Sequence, residues 1–169
     1  MGSPLGRWVR HAWHALGSDG RWLDATARQH IAERIAASEA GHGGEIRVCI
    51  ERALPAAALR QGVSARARAQ ACFGELGVWD TAERCGVLVY LLLAEQAIEL
   101  VADRGITQRV PAAQWQALVD GLGSALRGGQ REAGLLATID ALDALLRAHF
   151  PLRDGQANPD ELPNKPVLR

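Results

Sequence analysis

At 169 residues and 18.1 kDa, the chain is long enough for one domain with a proper core and short for two. Hydrophobic residues make up 48% and charged residues 22%, which excludes disorder for most of its length. Lys+Arg and Asp+Glu both number 19, and a net charge of zero argues against a dedicated nucleic-acid binder. Cys49, Cys72 and Cys85 are odd in number with no C-x-x-C pair, which fits reduced cytosolic thiols better than a disulfide framework or a zinc site. The longest apolar run, 87–94, has about eight residues against the ~20 needed to cross a bilayer. Near the N-terminus, Arg7, Arg10, His11 and His14 interrupt any apolar h-region. The chain reads as cytoplasmic, with peripheral contact at a membrane surface left open.

Three segments follow from the pattern: an N-terminal amphipathic helix within 1–20, a folded domain over 21–152, and a tail over 153–169. Residues 5–16 carry indoles at Trp8 and Trp13, and 17–20 form a turn. Asp24 offers a helix N-cap, and Ala27, Ile31 and Ile35 follow at i, i+4 spacing until Gly41-His42-Gly43-Gly44 ends the helix. From Glu45 the period switches to two, with Ile46, Val48 and Ile50 alternating with Arg47, Cys49 and Glu51, so a strand is expected. Ser64 caps a helix that Gly77 closes, and a polar loop, Trp79-Asp80-Thr81-Ala82-Glu83-Arg84, comes next. Residues 86–93 form a strand buried on both faces, 94–96 a hairpin turn, and 97–103 a third strand. Pro111 opens a helix with Trp115, Leu118, Leu122 and Leu126 inward, and the last helix buries Leu135, Ile139, Leu142 and Leu146. The tail is rich in Pro, Asp and Asn without an apolar face, so 153–169 is expected to be mobile.

A strand–helix–strand crossover makes the first two strands parallel, and the hairpin makes the third antiparallel. A central strand apolar on both faces needs helices on each side. The expected fold is therefore α/β, a three-layer α/β/α sandwich around a small mixed sheet. That topology brings Glu45, Asp80, Glu83 and Asp103 to one sheet edge, with Arg84 and Arg104 beside them. Clustered carboxylates repel unless a cation or arginines neutralise them, and oxygen-only ligands suit Ca²⁺ or Mg²⁺ rather than zinc. The alternative is plain: Asp80 and Glu83 solvate a loop while Asp103 pairs with an arginine. His42 stands near Glu45 as a ligand, an acid/base group or a turn residue; Cys49 and Cys85 read as core thiols, and Trp79 as a loop anchor. No Walker A loop, G-x-G-x-x-G, G-x-S-x-G or H-E-x-x-H occurs, so no nucleotide or organic cofactor is indicated.

His42-x-Gly44-Glu45-Ile46-Arg47, the Trp79-Asp80-Thr81 loop, 85–92 and Val101-Ala102-Asp103-Arg104-Gly105-Ile106 together resemble the TPM-domain family. The likeness runs from about residue 24 to Pro151 and is nearer to a small bacterial branch than to the thylakoid-lumen proteins linked to photosystem II repair. The resemblance implies an α/β/α sandwich with a divalent-cation loop corresponding to Asp80 and Glu83, Asp103 lying opposite. It also implies a LemA-like membrane protein as a partner, while acid phosphatase activity has been proposed for a plant member. Two functions are then expected. One is a cation-binding interaction or adaptor module that meets a protein partner or membrane surface through Trp8 and Trp13. The other is a metal-assisted phosphomonoester hydrolase, in which Arg84 or Arg104 clamps the phosphate and Asp80 activates water or attacks.

Overall fold

The computed structural model describes residues 4–16, 22–152, 158 and 161–169. Helix α1 (Pro4–Leu16) precedes α2 (Ala25–Glu39), where the Asp24 carboxylate accepts the Ala27 N–H at 2.8 Å. Strand β1 (Glu45–Glu51) leads to α3 (Ala56–Arg60) and α4 (Ala65–Glu75), the latter capped by Ser64. Strand β2 (Gly86–Leu92) turns through one 3-10 segment, Leu93–Glu95, into β3 (Ala97–Ala102). Gln96 closes that hairpin in the left-handed region, at φ 51°. Helices α5 (Arg104–Thr107), α6 (Ala112–Arg127) and α7 (Arg131–His149) follow, and β4 (Val167–Leu168) ends the chain. The turn expected at 17–20 lies outside the described residues.

The sheet has the order β3-β2-β1-β4, with β1 parallel to both β2 and β4 and β3 antiparallel to β2. Alternation divides the core in two. Ile46, Val48, Ile50, Val87, Val89 and Leu91 face α2, α6 and α7, where Ile31, Ile35, Leu135, Ile139 and Leu142 are buried. Cys49, Leu88, Tyr90 and Leu92 face α3 and α4, packing on Leu59, Ala69 and Cys72. Helices thus cover both faces, as the apolar central strand requires, and the sandwich is three-layered. The short α3 and α5 were not expected from the pattern.

The second face of β1 carries polar residues, yet Glu45, Arg47 and Glu51 are all buried. Burial of ions at this level demands partners. Arg68 supplies two hydrogen bonds to Glu51, at 2.8 and 3.0 Å, and the Tyr90 hydroxyl donates a third at 2.6 Å. Burial, together with Glu51, pushes the Tyr90 phenol above its ordinary range. Arg47 donates to the Lys165 carbonyl at 3.2 Å, and burial lowers its guanidinium from its usual value.

The expectation of a mobile tail fails for residues 161–169. Strand β4 adds to the outer edge of β1, and Leu162 is buried in the α3/α4 face. The Arg169 N–H donates to Ile50 O and the Arg52 N–H to Arg169 O, both at 2.9 Å. Asn158 reaches the His42 carbonyl at 2.9 Å. Edge strands leave open donors and acceptors, and this segment fills them for β1 with its own backbone. Residues 153–157, 159 and 160 lie outside the described set.

Candidate functional site

The parallel pairing of Glu45 with Gly86 sets the starts of β1 and β2 side by side. The end of β3 returns to the same place, because the Asp103 N–H donates to Gly86 O at 2.9 Å. The loop over 79–84 is pressed onto this edge. Thr81 Oγ1 accepts the Cys85 N–H at 3.0 Å, and Arg84 adopts a left-handed backbone, φ 51°. Gly86 and Gly105 permit the close approach: a Cβ on the first would collide with the Val78 carbonyl, and one on the second with the Arg84 carbonyl. Val78, fully buried, anchors the loop. Trp79, expected in that role, is 57% exposed instead, since the helix-terminal turn at Gly77 directs its neighbour Val78 inward.

Glu45 and the loop that carries Glu83 meet at this edge, and Glu161 joins them from the tail, its N–H on the Glu45 carboxylate and its own carboxylate on the loop backbone. Burial first, then the charges of Glu83, Glu45 and Glu161, push the Cys85 thiol up to about 12. No sequence pattern points to Glu161, whose carboxylate accepts the Ala82 N–H at 3.1 Å. Glu45 is completely buried, and its two oxygens accept the N–H groups of Glu161 and Leu162, each at 3.2 Å. Asp103 is half-buried and caps α5, accepting the Arg104 N–H at 2.6 Å, whereas Asp80 stands exposed. Among the described residues no group of three or more His, Cys, Asp and Glu side chains is arranged to hold a metal ion. Arg84 and Arg104 are exposed, and among the described residues neither pairs with these acids.

Buried Ser38 and His42 form a polar set with half-buried Asp143 near this edge. The Gly44 N–H donates to His42 Nδ1 at 3.1 Å, which leaves the proton of a neutral ring on Nε2. That nitrogen donates to Ser38 Oγ at 2.9 Å, and Ser38 in turn donates to Asp143 at 2.9 Å. A nucleophilic serine needs the reverse polarity, with imidazole accepting its proton. The set is therefore wired as a tie between α2, the following turn and α7. Burial lowers the His42 pKa, with Asp143 opposing, so the neutral ring is the form the fold holds.

At the other end of the molecule, α1 is docked by its polar side. Arg7 Nε donates to Glu95 at 2.6 Å, and His11, 1% exposed, contacts the same carboxylate through Nε2 at 3.0 Å. His11 Nδ1 also accepts the Leu54 N–H at 3.0 Å. Burial opposes it, yet the hydrogen bonds from Arg7 and His11 hold the Glu95 carboxyl below its usual range. With Arg7 and His11 turned inward, Leu5, Val9, Trp13 and Leu16 face solvent, Leu16 at 88% exposure, and Trp8 flanks them. His11 thus serves as a buried bridge between α1, Leu54 and Glu95.

These observations define a three-layer α/β/α domain with an acidic loop edge and, among the described residues, a Ser38–His42–Asp143 set wired as a structural tie. A TPM domain is matched over residues 19–145, and the chain belongs to the TPM-domain family. The fold is also that of the BA42 protein from the psychrophilic bacterium Bizionia argentinensis, solved by NMR, with a TM-score of 0.78 at 24% identity. That similarity covers 90% of this chain and 99% of BA42. No curated protein sequence matches. No helix among the described residues is long and apolar enough to cross a membrane.

Proposed function

We propose that this TPM-domain protein is a peripheral interaction module that docks through the outward face of α1 onto a membrane–water interface. The observation that carries this reading is the inversion of α1: its cationic side grips Glu95 while Leu5, Val9, Trp13 and Leu16 point to water. Amphipathic helices ordinarily bury such a stripe in the core. Two indoles, exposed Arg10 and the lack of any acid in α1 match the composition of a helix lying in an anionic lipid interface. The full chain should co-sediment with phosphatidylglycerol vesicles and weakly with phosphatidylcholine ones. Leu5→Ser with Val9→Ser and Leu16→Ser should abolish this without lowering the melting temperature. Absence of wild-type binding to either vesicle overturns the membrane reading and directs the stripe to a protein partner.

A second reading, in which Ca²⁺ or Mg²⁺ sits at the loop edge, is supported by the meeting of Glu45, Glu161 and the 79–84 loop where β1 and β2 begin. Glu45 is its weakest member, since backbone N–H groups already occupy both its oxygens. Asp80, Glu83 and Asp103 would supply the outer ligands, and a phosphomonoesterase built on the same ion would recruit Arg84 or Arg104. Backbone amides around 80–84 and Asp103 should shift on titration with either cation, and Asp80→Ala should weaken binding about tenfold, or ~1.4 kcal/mol. Unmoved amides at about 10 mM cation, far above the ordinary range of sensor sites, would remove both the metal and the hydrolase.

A further inference from the structure

A cavity of about 510 Å³ opens at the carboxyl end of β2, a size within the range of small-molecule sites. In open α/β sheets the crevice outside the carboxyl ends of the strands is where ligands bind. Its floor is the β2–β3 hairpin and the last turns of α6, through Leu93, Ile98 and Leu126. Trp13 and Trp22 supply aromatic surface, and Arg52, Arg127 and Arg131 bring three guanidinium groups. Among the described residues, no carboxylate lines it.

The local structure explains how this lining is assembled. Gly129, at φ 75°, reverses the chain between α6 and α7, so that Arg127 at the end of one helix and Arg131 at the start of the next border a single cavity. Arg131 lies over the Trp22 ring, 5.6 Å from its centroid, and donates to the Trp22 carbonyl at 3.5 Å. That pair holds a cation and an apolar plate in fixed relation. Arg127 uses one of its five donors on Ser124 Oγ, at 3.2 Å. Gly123 keeps the floor open, since a Cβ there would stand 3.3 Å from the Arg127 guanidinium and 3.5 Å from Ile98.

We infer that this cavity binds a small amphipathic organic anion, one with an apolar or aromatic body and a single carboxylate or phosphate head. The indoles and leucines take the body, and the planar forks of Arg127 and Arg131 take the head, a geometry that guanidinium matches and ammonium does not. The reading is independent of the membrane-docking one: Trp13 belongs to both surfaces, but the arginines and Gly123 belong to the cavity alone.

The test is calorimetry and amide NMR on the full chain with 2-naphthoate, 1-naphthyl phosphate, neutral 2-naphthol and inorganic phosphate. At least one aromatic anion should bind saturably and shift the amides of Ile98, Gly123 and Leu126. Naphthol should bind at least about tenfold more weakly, and inorganic phosphate should leave those amides unmoved. The tighter of the two anions identifies the head group. Arg127→Gln and Arg131→Gln should each weaken binding about fivefold or more, and Gly123→Leu should abolish it. Arg127 is exposed, so its variant keeps the test valid if the leucine variant fails to fold. The triple serine variant of α1 should bind as the parent does. Failure of both anions at about 1 mM, equal binding of naphthol, or unchanged affinity in both arginine variants overturns the proposal.

Discussion

Where β1 and β2 begin, the sheet is bordered by Glu45, Glu83 and Glu161; where β2 ends, it is bordered by Arg52, Arg127 and Arg131. The difference lies in how the charges are used as much as in their sign. At the acidic end, Glu45 is buried and bonded to two backbone N–H groups, Asp103 caps a helix, and the Glu161 carboxylate accepts from the loop. These acids hold chain segments to one another. At the basic end, Arg131 also holds Trp22, but the guanidiniums and indoles together border a cavity. Acidic residues gathered by topology are therefore weaker evidence for a site than charges gathered around a space.

The largest effect that separates the two ends is expected from truncation before Glu161. It removes β4, the donors to buried Glu45 and the carbonyl partner of Arg47. Each buried polar group left without a partner costs about 1–3 kcal/mol, so the loss should reach about 3 kcal/mol or more. Thermal melting of the truncated chain should show a large fall, and an unchanged midpoint would mean that the acidic end stands without the tail. Glu45→Gln should cost less, about 1–2 kcal/mol, because the amide keeps one acceptor oxygen and loses the charge. A stabilised Glu45→Gln variant would break the comparison, since it would show acids at that end repelling one another in wait for a cation.

Arg7→Ala acts elsewhere and should cost about 1 kcal/mol, by removing the partly buried pair with Glu95. Denaturant unfolding reads that loss, and faster proteolysis within α1 should accompany it. No change in either would show that His11 alone holds the helix.

Much of the fold was legible in the sequence, because period and burial agreed. The alternation at Ile46, Val48 and Ile50, the apolar run of β2 and the caps at Asp24 and Ser64 all report local chemistry. Other features depended on distant partners. Glu51 resembles a solvent-facing residue until Arg68 and Tyr90 are brought to it. The tail docks largely through backbone amides on Glu45 and a two-residue strand, and neither leaves a side-chain pattern. For α1 the indoles at Trp8 and Trp13 were visible in the sequence, but the outward turn of Leu5, Val9, Trp13 and Leu16 was decided by Glu95, far along the chain. The basic cavity leaves no mark in the sequence for the same reason. Trp13, Trp22, Ile98 and Arg131 come from four separate places.

The smallest expected effect is a pH dependence at His42. Burial lowers its folded pKa below the unfolded value of about 6.5, against the pull of Asp143 and with the push of Arg147. Its contribution to stability is thus complete above about pH 6.5 and is lost as pH falls through the lower folded value. Asp143, whose carboxyl is lowered against burial by Arg147 and Ser38, acts in the same direction, but only near and below the ordinary carboxylate range of about pH 4. Glutamine can accept the Gly44 N–H and donate to Ser38 without titrating. Melting temperatures taken from about pH 8 to pH 5 should therefore fall more steeply for the parent than for His42→Gln. Parallel curves would show that the ring takes up its proton equally readily in the folded and unfolded chain, and a curve that falls less steeply for the parent would show that the fold holds the charged ring, which cannot accept the Gly44 N–H.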